Sequence, residues 1–216
     1  MTTSSCRKLT GAAVFAAALL SGCAASVTGP DRASLRVEGA RVTVVAPEGL
    51  CIDPESPDVA RAGGYLLIGE CSLFDTSAEA GRALPGVITV SISSGGLPGD
   101  LDQLEAFLTG PGLAGLSRTA DAGTVRVLDR RRTDNALFLK LADSSPARAG
   151  GADEDYWRVF FPAGPRLVTG ALVPFSDARI SDGTALSLLS ALEVNTAAAN
   201  PRPPAPAAEP AAPDAG

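Results

Sequence analysis

The chain contains few residues with the chemistry of a catalytic centre. Its 216 residues include four cysteines and no histidine. The absence of histidine excludes a Ser-His-Asp triad, a Cys-His pair, a His-ligated metal and a haem held by a proximal histidine. Lys140 does not belong to a Ser-x-x-Lys pattern, and neither a Gly-x-Ser-x-Gly elbow nor a phosphate-binding P-loop occurs. We therefore assign no catalytic residue, no metal ligand and no cofactor from the sequence.

The N-terminus has the order of a signal peptide. Arg7 and Lys8 precede an uncharged run over residues 9–20, which at about 12 residues is shorter than the roughly 20 that span a bilayer. Leu20-Ser21-Gly22-Cys23 then resembles the lipobox of bacterial lipoproteins. This resemblance implies cleavage before Cys23, diacylglycerol on its thiol and often acylation of the new amine. The alternative is an ordinary secretory signal, cleaved for instance past Ala25, with a soluble product.

The lipobox resemblance also implies where the chain acts. It indicates the cell envelope, with the membrane as a partner through the lipid anchor, at the periplasmic face of the outer membrane if the cell is Gram-negative. Removal of Arg7 and Lys8 makes the formal net charge of −6 two units more negative. Because an acidic surface repels phosphate backbones, nucleic acid is not expected as a partner. An envelope protein or a small ligand remains a candidate.

Two cysteines remain once Cys6 falls within the signal peptide and Cys23 carries lipid. In an exported protein, the isolated pair Cys51 and Cys71 predicts a disulfide. It would close a loop of about 21 residues, for which the chain-entropy model gives roughly 3 kcal/mol of stabilisation. The alternative is a redox pair, but such pairs usually have the close spacing of Cys-x-x-Cys.

The remaining chain divides into a tether, one domain and a tail. After the signal peptide at residues 1–22, the small and polar residues 23–38 predict a tether, and the domain is expected over residues 39–195. Residues 196–216 are rich in alanine and proline, which predicts a disordered tail.

Hydrophobic periodicity within the domain predicts strands, a helix, two hairpins and a final helix. The predicted strands are residues 41–46, 64–70, 87–93, 124–128, 136–141, 156–161 and 166–173. Asp100 is placed to cap a helix with Leu101, Leu104, Phe107 and Leu108 on one side. A second helix is expected from Ser181 to near Asn195. Because the two hairpins follow each other directly, we predict a single α+β domain with an antiparallel sheet and two or three helices packed on it.

This order of elements, from Ala40 to Asn195, is similar to that of the PsbP/Mog1-type domains of other bacterial lipoproteins. In that family the first strand runs into a proline turn and the last helix packs across the sheet. The stretch Pro-x-Gly-x-Cys-Ile-Asp at residues 47–53 and Tyr-Trp-Arg at 156–158 also resemble uncharacterised exported proteins of alphaproteobacteria. Neither resemblance supplies a catalytic residue.

Two segments resemble ligand-binding loops in composition. Residues 110–115 match Gly-x-Gly-x-x-Gly, but a predicted helix precedes them and Pro111 removes an amide, so a turn is favoured over a dinucleotide site. Asp153, Glu154 and Asp155 could bind Ca²⁺, but the spacing of a known calcium loop is absent, which favours a solvated loop or a cap before the next strand.

Two further segments could bind envelope components. Residues 130–132 are three arginines at a predicted hairpin tip, where solvation is favoured over contact with lipid or cell-wall anions. Tyr156 and Trp157 could stack on a sugar or a peptide. Because Trp157 alternates with Val159 and Phe161, a position in the core is favoured.

Three functional hypotheses remain. The leading one is a non-catalytic binding or assembly module held at a membrane. The alternative is a histidine-free hydrolase or lyase acting on cell-envelope material, which would need a pocket with two carboxylates about 5 to 9.5 Å apart. The third is carriage of an apolar ligand, which needs a lined cavity between sheet and helix.

Overall fold

The structure is a computed structural model that describes residues 31–61, 65–75, 83–145 and 152–201. The predicted signal peptide, Cys23 and residues 202–216 lie outside the described residues. The strands are β1 (Arg32–Val37), β2 (Ala40–Val45), β3 (Leu50–Ile52), β4 (Leu66–Glu70), β5 (Gly86–Ile92), β6 (Val125–Arg132), β7 (Leu137–Asp143), β8 (Asp155–Ala163) and β9 (Arg166–Pro174). The helices are α1 (Ser56–Arg61), α2 (Leu101–Leu108) and α3 (Asp182–Ala199).

Seven of these strands form one antiparallel sheet in the order β3-β4-β5-β9-β8-β7-β6, and β1 pairs with β2 in a separate hairpin. Short connections join β6 to β7 and β8 to β9, as the two predicted hairpins require. The prediction of a single α+β domain with an antiparallel sheet and two or three helices is confirmed.

One face of the large sheet, which we call the hairpin face, packs against the β1-β2 hairpin and α3. Its buried side chains include Ile88, Val90 and Phe161, which lie in one cluster with the apolar side of α3. Trp157 belongs to this cluster and is 2% exposed, so its predicted place in the core is confirmed. Gly170 allows the close approach of α3, because a Cβ there would lie 2.7 Å from a methyl of Leu192.

The opposite face, the groove face, is covered over only part of its width. Over β6, β7 and β8, the covered half, it packs against α2 and a 3₁₀ turn at residues 113–116. The predicted cap of α2 is present, since Asp100 accepts a hydrogen bond from the backbone N–H of Gln103 at 2.8 Å. Phe107 is 52% exposed and does not join the buried side of α2, contrary to the prediction. Over β4, β5 and β9, which we call the open half, the helices that contact these strands are α1 on β4 and α3 on β9, and both belong to the cluster of the hairpin face.

Both predicted boundaries of the domain were too narrow. β1 begins at Arg32, inside the predicted tether of residues 23–38, because β2 needs a partner strand. α3 continues to Ala199, inside the predicted tail. There Asn200 exchanges hydrogen bonds of 2.8 and 2.7 Å with the backbone of Thr43, and Thr196 accepts from the backbone N–H of Val45 at 3.1 Å. The end of the helix thus satisfies the backbone groups on the free edge of β2.

Cys51 and Cys71 form the predicted disulfide, with their Cα atoms 4.8 Å apart. The bond joins β3 to the residue that follows β4, close to the position where Cys51 pairs with Gly69. It therefore crosslinks the strands at one edge of the sheet.

No helix among the described residues is long and apolar enough to cross a membrane.

Candidate functional site

A groove of about 560 Å³ lies on the open half of the groove face. Its lining is mainly apolar and contains two arginines but no aspartate or glutamate among the described residues. The lining residues are Tyr65, Leu67, Val87, Thr89, Ser91, Arg118, Ala152, Tyr156, Arg158, Ala171, Val173, Pro174 and Phe175. Two of them, Tyr65 and Phe175, are exposed aromatic side chains, at 52% and 37% of their surface.

The floor of the groove follows directly from strand register. Leu67 lies opposite Thr89, Thr89 opposite Ala171, and Ala171 opposite Arg158, so these four side chains form one row across four strands. Because neighbouring strands are about 4.8 Å apart, the row is about 14 Å long. Arg158 is at its inner end, where the open half meets the covered half.

Two guanidinium groups and one phenol form a cluster at this inner end. The Cζ atoms of Arg118 and Arg158 lie 4.9 and 5.5 Å from the centre of the Tyr156 ring, within the range of cation–π interactions. The Tyr156 hydroxyl donates to the carbonyl of Leu116 at 3.2 Å, which fixes the ring beneath the 3₁₀ turn. Tyr156 is only 2% exposed, so it positions the arginines and does not itself offer a face for stacking.

Neither arginine forms an ion pair with a described carboxylate. The side-chain hydrogen bonds of both are long, at 3.4 Å from Arg158 to the Tyr156 hydroxyl and 3.4 Å from Arg118 to the carbonyl of Asp153. Nε of Arg158 and Nη1 of Arg118 are buried and have no hydrogen-bond partner among the described residues. Buried polar groups are normally paired, so two such donors around one tyrosine ring indicate a site that lacks hydrogen-bond acceptors.

The electrostatics of the cluster reflect this shortage of negative charge. Burial lowers the pKa of the Arg158 guanidinium, and the charge of Arg118 lowers it further. Burial raises the pKa of the Tyr156 phenol, which stays neutral.

Asp143 is a buried carboxylate whose negative charge acts on both Arg158 and Tyr156. Its burial favours the neutral acid, but the backbone N–H groups of Arg118 and Ser145, each 2.9 Å away, outweigh burial and hold the pKa of Asp143 below its ordinary value. Asp143 therefore stays ionised, but its oxygens are already occupied by these two amides.

The three consecutive arginines of the sequence behave differently. They lie within strand β6 and not at a hairpin tip, so that prediction was wrong. A register shift at Val127 and Asp129 turns Arg130 and Arg132 towards α2. Arg130 pairs with Glu105 at 3.0 Å, Arg131 with Asp129 at 2.9 Å, and Arg132 with Asp102 and Glu105. Their charges are matched within the chain.

A second cavity, of about 420 Å³, is lined by residues that include Lys140, Asp153, Asp155, Arg179 and Asp182. Here Lys140 and Asp182 are already paired. Asp182 lies 2.8 Å from Nζ of Lys140 and accepts from the indole N–H of Trp157 at 2.9 Å. These two hydrogen bonds lower the pKa of the Asp182 carboxyl.

The remaining sequence candidates have structural roles. Gly110 to Gly115 follow α2 as a turn and a 3₁₀ segment. Asp153 accepts from the backbone N–H of Asp155 at 3.2 Å, at the start of β8, as a cap would. Within the described ranges, no group of three acidic or cysteine side chains is arranged to hold a metal ion.

Sequence reasoning did not identify Arg118 or Arg158 as a site. Arg118 lies in a loop without any motif and joins the cluster only through the fold. The position of Arg158 is recognisable in the sequence, because it alternates with Tyr156 and Phe160 on the same face of a strand and both of these residues are buried. An arginine between two buried aromatic residues is an unusual position that favours function.

Comparison with known proteins finds no match to this chain among protein-family models, curated proteins or solved structures.

Proposed function

We propose that this chain is a lipid-anchored lipoprotein of the cell envelope whose domain is a non-catalytic binding module, with a small ligand held in the groove. The groove carries the proposal. Its volume of about 560 Å³ falls within the range of roughly 300–1,000 Å³ that is typical of small-molecule sites. Such sites combine apolar walls with a few convergent polar groups, which here are Arg118 and Arg158.

The anchor part of the proposal is supported by the N-terminal sequence. A basic start, a short apolar run and Leu20-Ser21-Gly22-Cys23 stand in the order that lipoprotein processing needs. Two or three acyl chains on Cys23, at about 0.8 kcal/mol per buried CH₂, would hold the protein on a membrane almost irreversibly. We propose the periplasmic face of the outer membrane if the cell is Gram-negative.

The alternative of a histidine-free hydrolase or lyase would depend on the second cavity, where three aspartates line the wall. A general acid needs a raised pKa, but the pKa of Asp182 is lowered by Lys140 and Trp157. This favours an ion pair that holds β7 against α3. Binding in the groove is the better-supported function.

The ligand is tested by native mass spectrometry of the protein purified without denaturation from its own envelope. We expect an added mass on the wild type that is absent from Thr89→Trp, in which an indole fills the floor of the groove. Leu128→Trp, on a strand that does not border the groove and with a side chain already 42% exposed, is the matched control and should retain the mass. Equal retention by both variants would contradict the groove as the binding site.

The anchor is tested by mass spectrometry of the N-terminal peptide from the membrane fraction. We expect a diacylated Cys23, and release of Cys23→Ala into the soluble fraction. If Cys23→Ala fractionates as the wild type does, the anchor assignment is wrong.

A further inference from the structure

We propose that the ligand of the groove is a monocarboxylate with an apolar body, whose carboxylate binds the guanidinium groups of Arg158 and Arg118. This inference rests on the proposed function, in which the groove holds a small ligand, and it names the class of that ligand.

The charge balance indicates an anion with one negative charge. Two guanidinium groups face a single ionised carboxylate, Asp143, and no aspartate or glutamate is among the described lining residues. Among the described residues, one positive charge is therefore left without a counterpart, on guanidinium groups that are half-buried. A carboxylate cancels that charge, whereas a phosphate monoester near neutral pH carries up to two negative charges and leaves an excess.

The donors are positioned before the ligand arrives. Tyr156 is held by the carbonyl of Leu116 and lies within 4.9 and 5.5 Å of the two guanidinium carbons. The hydrogen bonds that now engage Arg158 and Arg118 are long and easily exchanged. Charge-assisted hydrogen bonds from arginine to a carboxylate are short and about twice as strong as neutral ones, so exchange favours the ligand. Tyr156 is thus a positioning residue.

The rest of the groove is suited to an apolar body. Beyond Arg158 the floor consists of Ala171, Val87, Val173 and Leu67, with the hydroxyl of Thr89 among them. From Arg158 to Leu67 the distance is about 14 Å, from three strand spacings. The exposed Tyr65 ring is at the far end of this row, next to Leu67, where it can cover an alkyl chain or stack on an aryl group. A ligand with its charge at one end therefore lies along the row.

Titration calorimetry of the mature chain from residue 23, kept free of lipid by Cys23→Ser and with the disulfide intact, tests the class of ligand. The probes are octanoate, octanol, octylamine and octyl phosphate, all below their micelle concentrations. We expect octanoate to bind roughly tenfold or more tightly than octanol. Octyl phosphate should bind less tightly than octanoate, and octylamine should not bind.

The outcomes separate this inference from the proposed function. Octanol binding as tightly as octanoate would overturn the carboxylate assignment but leave the groove as a binding site. Octyl phosphate binding more tightly than octanoate would also overturn it, in favour of a phosphate. If the groove binds no probe, and Thr89→Trp removes no ligand in the envelope experiment, both proposals fail.

Variants at the arginines locate the carboxylate. Arg158→Met should weaken octanoate binding roughly tenfold or more and leave octanol binding unchanged, because only the charged end loses its partner. Arg118→Met, in a loop outside the sheet, gives the same test should Arg158→Met fold poorly. Arg130→Met replaces an arginine that is already paired with Glu105 and should bind octanoate as the wild type does. Loss of octanoate and octanol binding in equal measure in both groove variants would overturn the assignment.

Discussion

The covered and open halves of the groove face are built on the same sheet but are stabilised differently. In the covered half, Leu137, Leu139 and Leu141 are buried under α2. In the open half, the equivalent positions on β5 are Val87, Thr89 and Ser91, which line the groove. A sheet face left open after folding contributes less hydrophobic burial, and its side chains are free to be selected for binding.

The comparison is tested most strongly by truncating one leucine on each half. Leu139→Ala should lower the free energy of unfolding by roughly 3 kcal/mol, because it leaves a cavity under α2. Leu67→Ala, at a half-buried position of the open half, should lower it by less than about 1.5 kcal/mol. Urea denaturation of the two variants measures the difference. Equal losses would show that the open half is buried as deeply as the covered half.

Loss of the disulfide should have the next largest effect. The bond between Cys51 and Cys71 crosslinks β4, the outer strand of the open half, to its neighbour β3 at the edge of the sheet, whereas the covered half is stabilised by a helix. By the chain-entropy model, the free energy of unfolding of the double variant Cys51→Ala, Cys71→Ala should be about 3 kcal/mol lower than that of the wild type. Denaturation of the wild type with and without reductant should give the same difference. A midpoint that reductant does not move would show that β3 and β4 need no crosslink.

A smaller effect is expected from the arginine at the boundary of the two halves. In the absence of ligand, Arg158→Met should be as stable as the wild type or more stable by about 1 kcal/mol, because burial of an unpaired guanidinium opposes folding. Arg130→Met, at an exposed ion pair, should change stability by less than about 0.5 kcal/mol. Thermal unfolding monitored by circular dichroism compares them. A strongly destabilised Arg158→Met would show that the arginine serves the fold.

The smallest effect concerns Glu193, a buried acid of α3 on the hairpin face. Burial raises its pKa, so the folded state binds its proton more tightly than the unfolded state does. Stability is therefore lost as the pH rises from the ordinary pKa of about 4.3 to the raised value. Glu193→Gln should be more stable than the wild type by roughly 0.5–1 kcal/mol at pH 7, with no difference at pH 3. An equal gain at both pH values would exclude titration as the cause.

The elements that sequence predicted well are those in which local pattern and burial agree. The alternation of Ile88 and Val90 and the cap at Asp100 depend only on neighbouring residues, and the structure contains both the strand and the capped helix. β1 and the last turn of α3 were missed because they are held by distant partners. Nothing in the composition around Asn200 reveals that its amide will pair with the backbone of Thr43.

The site was less predictable than the fold for the same reason. Arg118 and Arg158 are 40 positions apart in the sequence and meet only because the 3₁₀ turn is hydrogen-bonded to Tyr156 of β8. In β6 a distant interaction changes the secondary structure instead. Its polar residues are typical of a turn, but they form a strand in which Arg130 and Arg132 pair with acidic residues of α2. In both cases the deciding interaction is between residues that are far apart in the sequence and are brought together by the fold.

The contact of Asn200 with β2 has a practical consequence for the two ends of the domain. The carbonyl of Asp31 accepts from the backbone N–H of Ala46, three residues from Thr43. Asp31 lies on the side of β2 that pairs with β1 and Asn200 lies on the other side, so the ends are about 14 Å apart, from three residues along the strand and two strand spacings across it. A short linker could join them, and new ends could be opened at the exposed turn of residues 121–123. Such a circular permutant should fold, and a fluorescent reporter attached to either natural end would leave the groove free.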